Sequence, residues 1–492
     1  MRWRTVGRLA ATVFVGLVVP GAVAAVGIAG ATEEVYTARD GSAPPAPVDT
    51  AAVPAHDPGK PTAVIVLAPE GANVADVLAP YEVFARTGAF NLYTVAPARR
   101  PVPLTGNLDI VPDLSFGQLA DRLAATPDVI VVPQLHHAGR PIIEWLRGQR
   151  TQGDPLLLSV CVGAGVLAEA GLLDGRPATS HWLGLIGLRR NYPAVRWQDE
   201  IRYVDDGDVI TSAGVLSGVD GALRVVERML GQDAAARAAQ AVHWPDYSPG
   251  GAAPIRRSRP APADVVALLS AAYRWDRPST GILLTDGVGE IELASAFRPY
   301  TELSYLARPV AVTADGRPIR SRHGLTFVPR AELTAAAPGF DRLLVPGADA
   351  ARRAAADGLS LPERLTPVYL HQQPGFAFDG ALRDIARTRD VATARWVAKT
   401  LQYPTTDPRL SGSAWPWTLT LRPILIAGAA AIAAAVGIQL LRRRRRRSTP
   451  AHAAQVPDRG VERAAEKTGA STGATSGLLA PPRTVDPADE KK

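Results

Sequence analysis

The sequence predicts an α/β fold: a mostly parallel sheet covered by helices on both faces. It also predicts two tandem copies, the second truncated, with transmembrane helices at the ends of the globular part. Three observations lead there. Short apolar runs alternate with helix-like stretches, segments of the first half return in the second, and two uncharged runs of bilayer length lie beside arginines.

The alternation begins at 63–68, where AVIVLA has the unbroken apolar character of a strand buried on both faces. A helical stretch follows, ADVLAPYEVFARTG, and then a second strand at 92–96. VIVVP (129–133) reads as a strand, PIIEWLRGQ (141–149) as a helix and LLLSV (156–160) as a further strand. Strands separated by helices require right-handed crossovers and hence a parallel sheet.

The repetition starts at GILL (281–284), which repeats the first strand. Ala79-Pro80-Tyr81 returns as Arg298-Pro299-Tyr300, and Val132-Pro133 as Val345-Pro346. Asp220-Gly-Ala-Leu-Arg224 is identical to Asp379-Gly-Ala-Leu-Arg383, and Trp244-Pro245 pairs with Tyr403-Pro404. The Val-Pro match is displaced by 213 residues and the pentapeptide by only 159, so the second copy lacks a net 54 residues between them. The missing stretch is the one that holds Cys161 in the first copy.

Residues 9–29 are 21 uncharged residues behind Arg2, Arg4 and Arg8, long for a signal-peptide core of roughly 7–15 residues. Ala29-Gly30-Ala31 also fits a cleavage site, so both an anchor and a signal peptide remain open, and either sends the following chain across a membrane. Residues 423–441 are 19 uncharged residues followed by Arg442 to Arg447, and the positive-inside rule keeps that block cytoplasmic. Trp415 and Trp417 stand where an outer interfacial aromatic pair belongs. The expected organisation is therefore an anchor or signal peptide (1–31), a Pro/Ala-rich tether (32–61) and a first domain (62–248). A linker with a short helix (249–278), the degenerate copy (279–404), a juxtamembrane segment (405–422), a transmembrane helix (423–441) and a basic, disordered tail (442–492) complete it.

The charge has the same origin. Of the formal net +7, residues 442–492 carry +6 and the first eight +3, leaving the globular part at −2. A slightly acidic body lacks the electrostatic footprint for phosphate backbones, so no nucleic-acid partner is expected. The lipid bilayer is the expected partner, and a cell-membrane location with the domains extracytoplasmic and the tail cytoplasmic follows.

Cys161 is the single cysteine, so any covalent role is that of a thiol. Leu156-Leu-Leu-Ser-Val160 runs into Cys161-Val-Gly-Ala-Gly165 and then a helix: strand, tight turn, helix, as in a nucleophile elbow. A thiol there faces a helix N-terminus, whose N–H groups favour the thiolate and lower its pKa. Gly163 and Gly165 permit close backbone approach. His181 follows the helix and is placed to act as acid or base, while Asp76 starts the first helix at the ligand-binding edge of the sheet.

The segment Ser159-Val-Cys-Val-Gly-Ala-Gly through Ala178-Thr-Ser-His-Trp182 resembles the signature of the ThiJ/PfpI family, within the class I glutamine-amidotransferase-like superfamily. The resemblance spans about 62–248 and is greatest to isonitrile hydratases and the amidase-like sensor domains of AraC-type regulators. It implies a flavodoxin-like, Rossmann-like sheet, Cys161 as nucleophile, Asp76 as its acid partner and His181 as the family histidine. It further implies hydratase- or amidase-like chemistry on a small electrophile, with a non-catalytic redox or small-ligand sensor as the alternative. No cofactor is implied. Family members commonly dimerise, so a dimer or an intramolecular pseudo-dimer is expected.

Two departures bear on the site. Pro133-Gln134-Leu135-His136-His137 replaces the family's Pro-Gly-Gly, putting the Gln134 side chain where bare backbone would help form an oxyanion hole with the turn at Val162 and Gly163. Val162 stands where proteases of the family carry histidine, which argues against proteolysis. His136 and His137 lack the spacing of metal ligands, so no metal is expected. Asp206-Gly207 reads as a hairpin turn, and Asp220, retained in the copy without cysteine, reads as a packing residue.

Overall fold

The first strand, β1 (Thr62–Val66), is buried along its whole length and forms the centre of the main sheet. In the computed structural model, the described residues are 2–37, 53–251, 255, 258–350, 352–353, 361–404 and 409–447. Residues 448–492 of the expected tail, half of the tether 32–61 and part of the juxtamembrane segment 405–422 fall outside them.

Around β1 the chain lays down β2 (Asn91–Ala96), β3 (Val102–Leu104), β4 (Leu108–Val111), β5 (Leu114–Ser115), β6 (Val129–Val132) and β7 (Leu156–Val160). A small pair follows, β8 (Pro177–Thr179) and β9 (Arg196–Gln198), then β10 (Tyr203–Asp205) and β11 (Val209–Ser212). The main sheet has the order β10-β11-β7-β6-β1-β2-β5, parallel except for the β10–β11 hairpin. Asp206 and Gly207, the latter at φ 81°, make the tight turn of that hairpin. Helices Val74–Thr87 and Ser217–Leu230 bury one sheet face, and Gly139–Gln152 and Gly163–Glu169 bury the other.

The later residues form β12 (Ser279–Leu283), β13 (Arg308–Thr313), β14 (Ile319–Arg320), β15 (Thr326–Val328), β16 (Ala331–Glu332), β17 (Arg342–Val345) and β18 (Pro367–Tyr369). Five of them make a second parallel sheet of order β16-β13-β12-β17-β18. The remaining two join β4 and β3 in a four-stranded sheet, where Phe327 lies opposite Ile110. Beside that seam Arg330 makes a two-pronged ion pair of 2.8 and 3.1 Å with the buried Asp109. Helix Val74–Thr87 packs against Glu290–Phe297, and one hydrophobic cluster spans both sheets while each has a separate cluster on its other face.

Two helices, Arg2–Glu33 and Trp417–Arg447, contain stretches long and apolar enough to cross a membrane, Ala10–Glu33 and Trp417–Arg444. Residues 249–278, expected as a linker, hold the short apolar helix Val265–Tyr273, whose Tyr273 hydroxyl donates to the Pro20 carbonyl at 3.1 Å. Residues 1–436 form one compact unit, and the described part of 437–492 is the end of the second apolar helix.

Candidate functional site

The thiol sits where β7 ends and the Gly163–Glu169 helix begins, as the strand-turn-helix pattern requires. Cys161 has φ 58°, a left-handed conformation that a non-glycine residue holds only when its surroundings impose it. The crossing is tight: a Cβ added at Gly163 would lie 2.2 Å from the Val132 carbonyl oxygen. The Ser180 hydroxyl donates to the Cys161 carbonyl at 2.8 Å and fixes the turn from the other side.

The turn does not leave the sulfur open. Cys161 is 2% exposed, and its thiol donates to the Gln134 side-chain oxygen at 3.4 Å. The same amide donates through Nε2 to Glu302 Oε1 at 2.5 Å, and Asn73 Nδ2 donates to Glu302 Oε2 at 2.8 Å. Glu302 belongs to the later part of the chain and is held by the buried Arg298, whose Nε lies 3.3 Å from its carboxylate. Burial, and then the charges of Asp76 and Glu302, push the thiol well above its ordinary range. The helix N-terminus was expected to lower it; desolvation of a fully buried sulfur outweighs that contribution.

Asp76 is also completely buried, in the first turn of the Val74–Thr87 helix. The Asn73 side chain caps that helix by accepting from the N–H groups of Ala75 and Asp76. Asp76 Oδ2 accepts from the Gln134 backbone N–H at 3.1 Å, and Oδ1 has no partner. Burial holds this carboxyl well above the usual carboxylate range, partly countered by the Gln134 bond. The protonated acid is therefore favoured beside a protonated thiol, with Gln134 bonded to both.

Among the described residues no hydrogen bond joins His181 to Cys161, Asp76 or Gln134. The histidine Nε2 donates to the Thr400 carbonyl at 2.9 Å, and burial lowers its pKa to about 4, so the ring is neutral. Val162 caps the Gly163–Glu169 helix without a side-chain hydrogen bond. Tyr36, following the first apolar helix, covers the loop after β6 by packing its ring 4.7 Å from that of His136. Asp220 binds Arg202 and the Trp244 indole inside the core, at 3.3 and 2.9 Å. Among the described residues the one grouping with metal-ligand proximity is Glu82, Glu290 and His323, which includes neither His136 nor His137. Both of its carboxylates are already occupied by donors from Arg86, Ile291, Ser321 and His323.

Comparison with known proteins fits this arrangement. The DJ-1/PfpI family model matches residues 62–228, the stretch containing Asp76, Gln134, Cys161 and His181. Isonitrile hydratase from Pseudomonas putida is 32% identical over 166 residues, which are 32% of this chain and 68% of that protein. Protein DJ-1alpha from Drosophila melanogaster is 30% identical over 195 residues, 38% of this chain and 85% of that protein. The chain belongs to the DJ-1/PfpI family. The HTH-type transcriptional regulator GbdR of Pseudomonas aeruginosa is a further relative, 28% identical over 170 residues that make up 45% of its own length. Glu302, Arg298 and Thr400 all lie beyond the segment that the DJ-1/PfpI model matches. Sequence reasoning missed these three, because no local pattern marks a carboxylate that reaches a thiol from a distant part of the chain.

Proposed function

We propose that the chain is a membrane-tethered, non-catalytic sensor or regulatory protein, with a thiol-bearing DJ-1/PfpI domain roofed by a truncated second copy of the same fold. The carrying observation is the hydrogen-bond chain from Cys161 through Gln134 to Glu302, which takes the space that a substrate on the sulfur would need. The duplication is supported by the strand orders β5-β2-β1-β6-β7 and β16-β13-β12-β17-β18, which correspond position by position. The repeated Asp-Gly-Ala-Leu-Arg segment supports it independently. In this reading residues 62–248 and 279–404 form an intramolecular pseudo-dimer outside the membrane, and the arginine block at 442–447 stays cytoplasmic. A stimulus that displaces Glu302 would free the thiol for oxidation.

A second reading is turnover. It draws on the left-handed Cys161 turn, on the unpartnered Asp76 oxygen and on the likeness to an isonitrile hydratase. Cys161 would attack the carbon of an isonitrile while Asp76 gives its proton to that carbon and takes the thiol's, and water would then hydrolyse the resulting thioimidate to an N-substituted formamide and the free thiol. The full chain in detergent micelles separates the two. We expect iodoacetamide to label native Cys161 at least about a hundredfold more slowly than unfolded protein. We expect Glu302→Ala to recover much of the difference. Consumption of methyl isonitrile by the wild type and not by Cys161→Ala would defeat the sensor reading in favour of catalysis.

A further inference from the structure

A polar cleft lies elsewhere, at the carboxyl end of the second parallel sheet, with a volume of about 510 Å3. That volume falls within the range of small-molecule sites. Residue register relates it to the thiol. Val132 pairs with Ser159, two residues before Cys161, and Val345 pairs with Tyr369, two residues before His371. His371 thus ends its strand where Cys161 ends the corresponding strand of the first sheet, so by this register the stretch absent from the second half follows the thiol position and does not include it, contrary to the expectation from the sequence offsets.

His371 is a wall of the cleft rather than a base. Its Nδ1 accepts from the Gly347 N–H at 3.0 Å, so Nε2 carries the proton and lies 3.1 Å from the Ala377 carbonyl. The charged groups of the cleft are more informative. Glu82 pairs with Arg86 and Arg322, at 2.6 and 3.4 Å, and Glu292 pairs with Arg322 at 3.2 Å. Arg383 also lines the cleft, is half-buried, and has no hydrogen bond or ion pair among the described residues.

The same pentapeptide in the first half shows what this arginine lacks. Arg224 pairs with Asp205 on β10 and with Glu227 one turn along its helix, at 2.8 and 3.1 Å. The second sheet has no strand beyond β18 among the described residues, and Ala386 stands where Glu227 would be. The second half has no counterpart of those two carboxylates; Asp379, one turn back on the same helix, accepts from the Tyr403 hydroxyl, and the Arg383 guanidinium borders a cavity whose apolar wall includes Leu370, Phe376 and Val242.

We infer that this cleft is a ligand site for a small amphipathic carboxylate, its anionic end held by Arg383 and its apolar end against Phe376. A planar guanidinium binds a carboxylate through two parallel hydrogen bonds, a geometry that a neutral amide does not reproduce. The site is independent of whether Cys161 turns over.

The test is isothermal titration calorimetry on the full chain in lipid nanodiscs, with 4-phenylbutyrate and its neutral amide as probes. We expect saturable binding of the carboxylate, at least about tenfold weaker binding of the amide, and a loss of about tenfold or more in Arg383→Gln. Ala348→Trp, a bulky side chain at an exposed position of the cleft lining, is expected to abolish binding while native Cys161 stays as slow to label as in the wild type. Equal affinity for acid and amide, or carboxylate binding unchanged in Arg383→Gln and Ala348→Trp, or no saturable binding by the wild type, would overturn the inference.

Discussion

Cys161 and Asp76 form a pair in which each group favours its neutral form, because neither reaches water and the nearby Arg298, already paired with Glu302, offsets only part of the cost of burial. His181 gives the clearest pH signature. Its folded pKa of about 4 lies below the value of about 6.5 for an unfolded histidine, so the unfolded chain binds the extra proton between those pH values. Stability should therefore fall as pH drops from about 6.5 to 4, by about 3 kcal/mol from this residue alone. Asp113 and Asp220, raised to about 6 and 7, act in the opposite direction over an overlapping window. The measurement is accordingly a difference: urea unfolding of the wild type against His181→Gln, which keeps a donor for Thr400, with the gap changing in the variant's favour on acidification. Gly163→Ala tests the crossing at the thiol; with the Val132 carbonyl in the way we expect a loss of about 2 kcal/mol or more, read as a lower thermal midpoint. Cys161, Asp76 and Gln134 were legible as candidates because a strand-turn-helix pattern and a missing Pro-Gly-Gly are written locally. The partners that neutralise them were not, because Glu302 arrives through tertiary packing alone.

At the scale of elements, the parallel strands were readable from unbroken apolar runs: AVIVLA, VIVVP and LLLSV correspond to β1, β6 and β7 within two residues at each end. The four-stranded sheet of β3, β4, β15 and β14 was not anticipated, since strands of two to four residues carry too little periodicity and their pairing joins distant segments. Its ion pair offers a direct check on how firmly the two halves are joined. Arg330→Met leaves Asp109 buried without its charged partner, and we expect about 3 kcal/mol of destabilisation in chemical unfolding. Asp109→Asn in the same background should restore part of it, because a neutral amide is less costly to bury than a carboxylate that has lost its Arg330 cation.

For the whole molecule, the proposed topology makes a prediction that does not depend on the thiol. With Arg442 to Arg447 retained on the cytoplasmic side, a reporter fused after residue 447 should be active only in the cytoplasm, and one inserted after Gly207 only outside. The reverse pattern would displace the sensor reading altogether. The pairing of β4 with β15 also has a consequence for biogenesis. These strands are more than two hundred residues apart, so β4 leaves the ribosome long before its neighbour exists. Until then its edge is a bare hydrogen-bonding template, and a slow, non-local closure has to compete with self-association. Chains that stall or are cleaved before residue 326 should therefore depend on holdase chaperones and accumulate as aggregates, giving the cell a built-in check that only complete molecules survive.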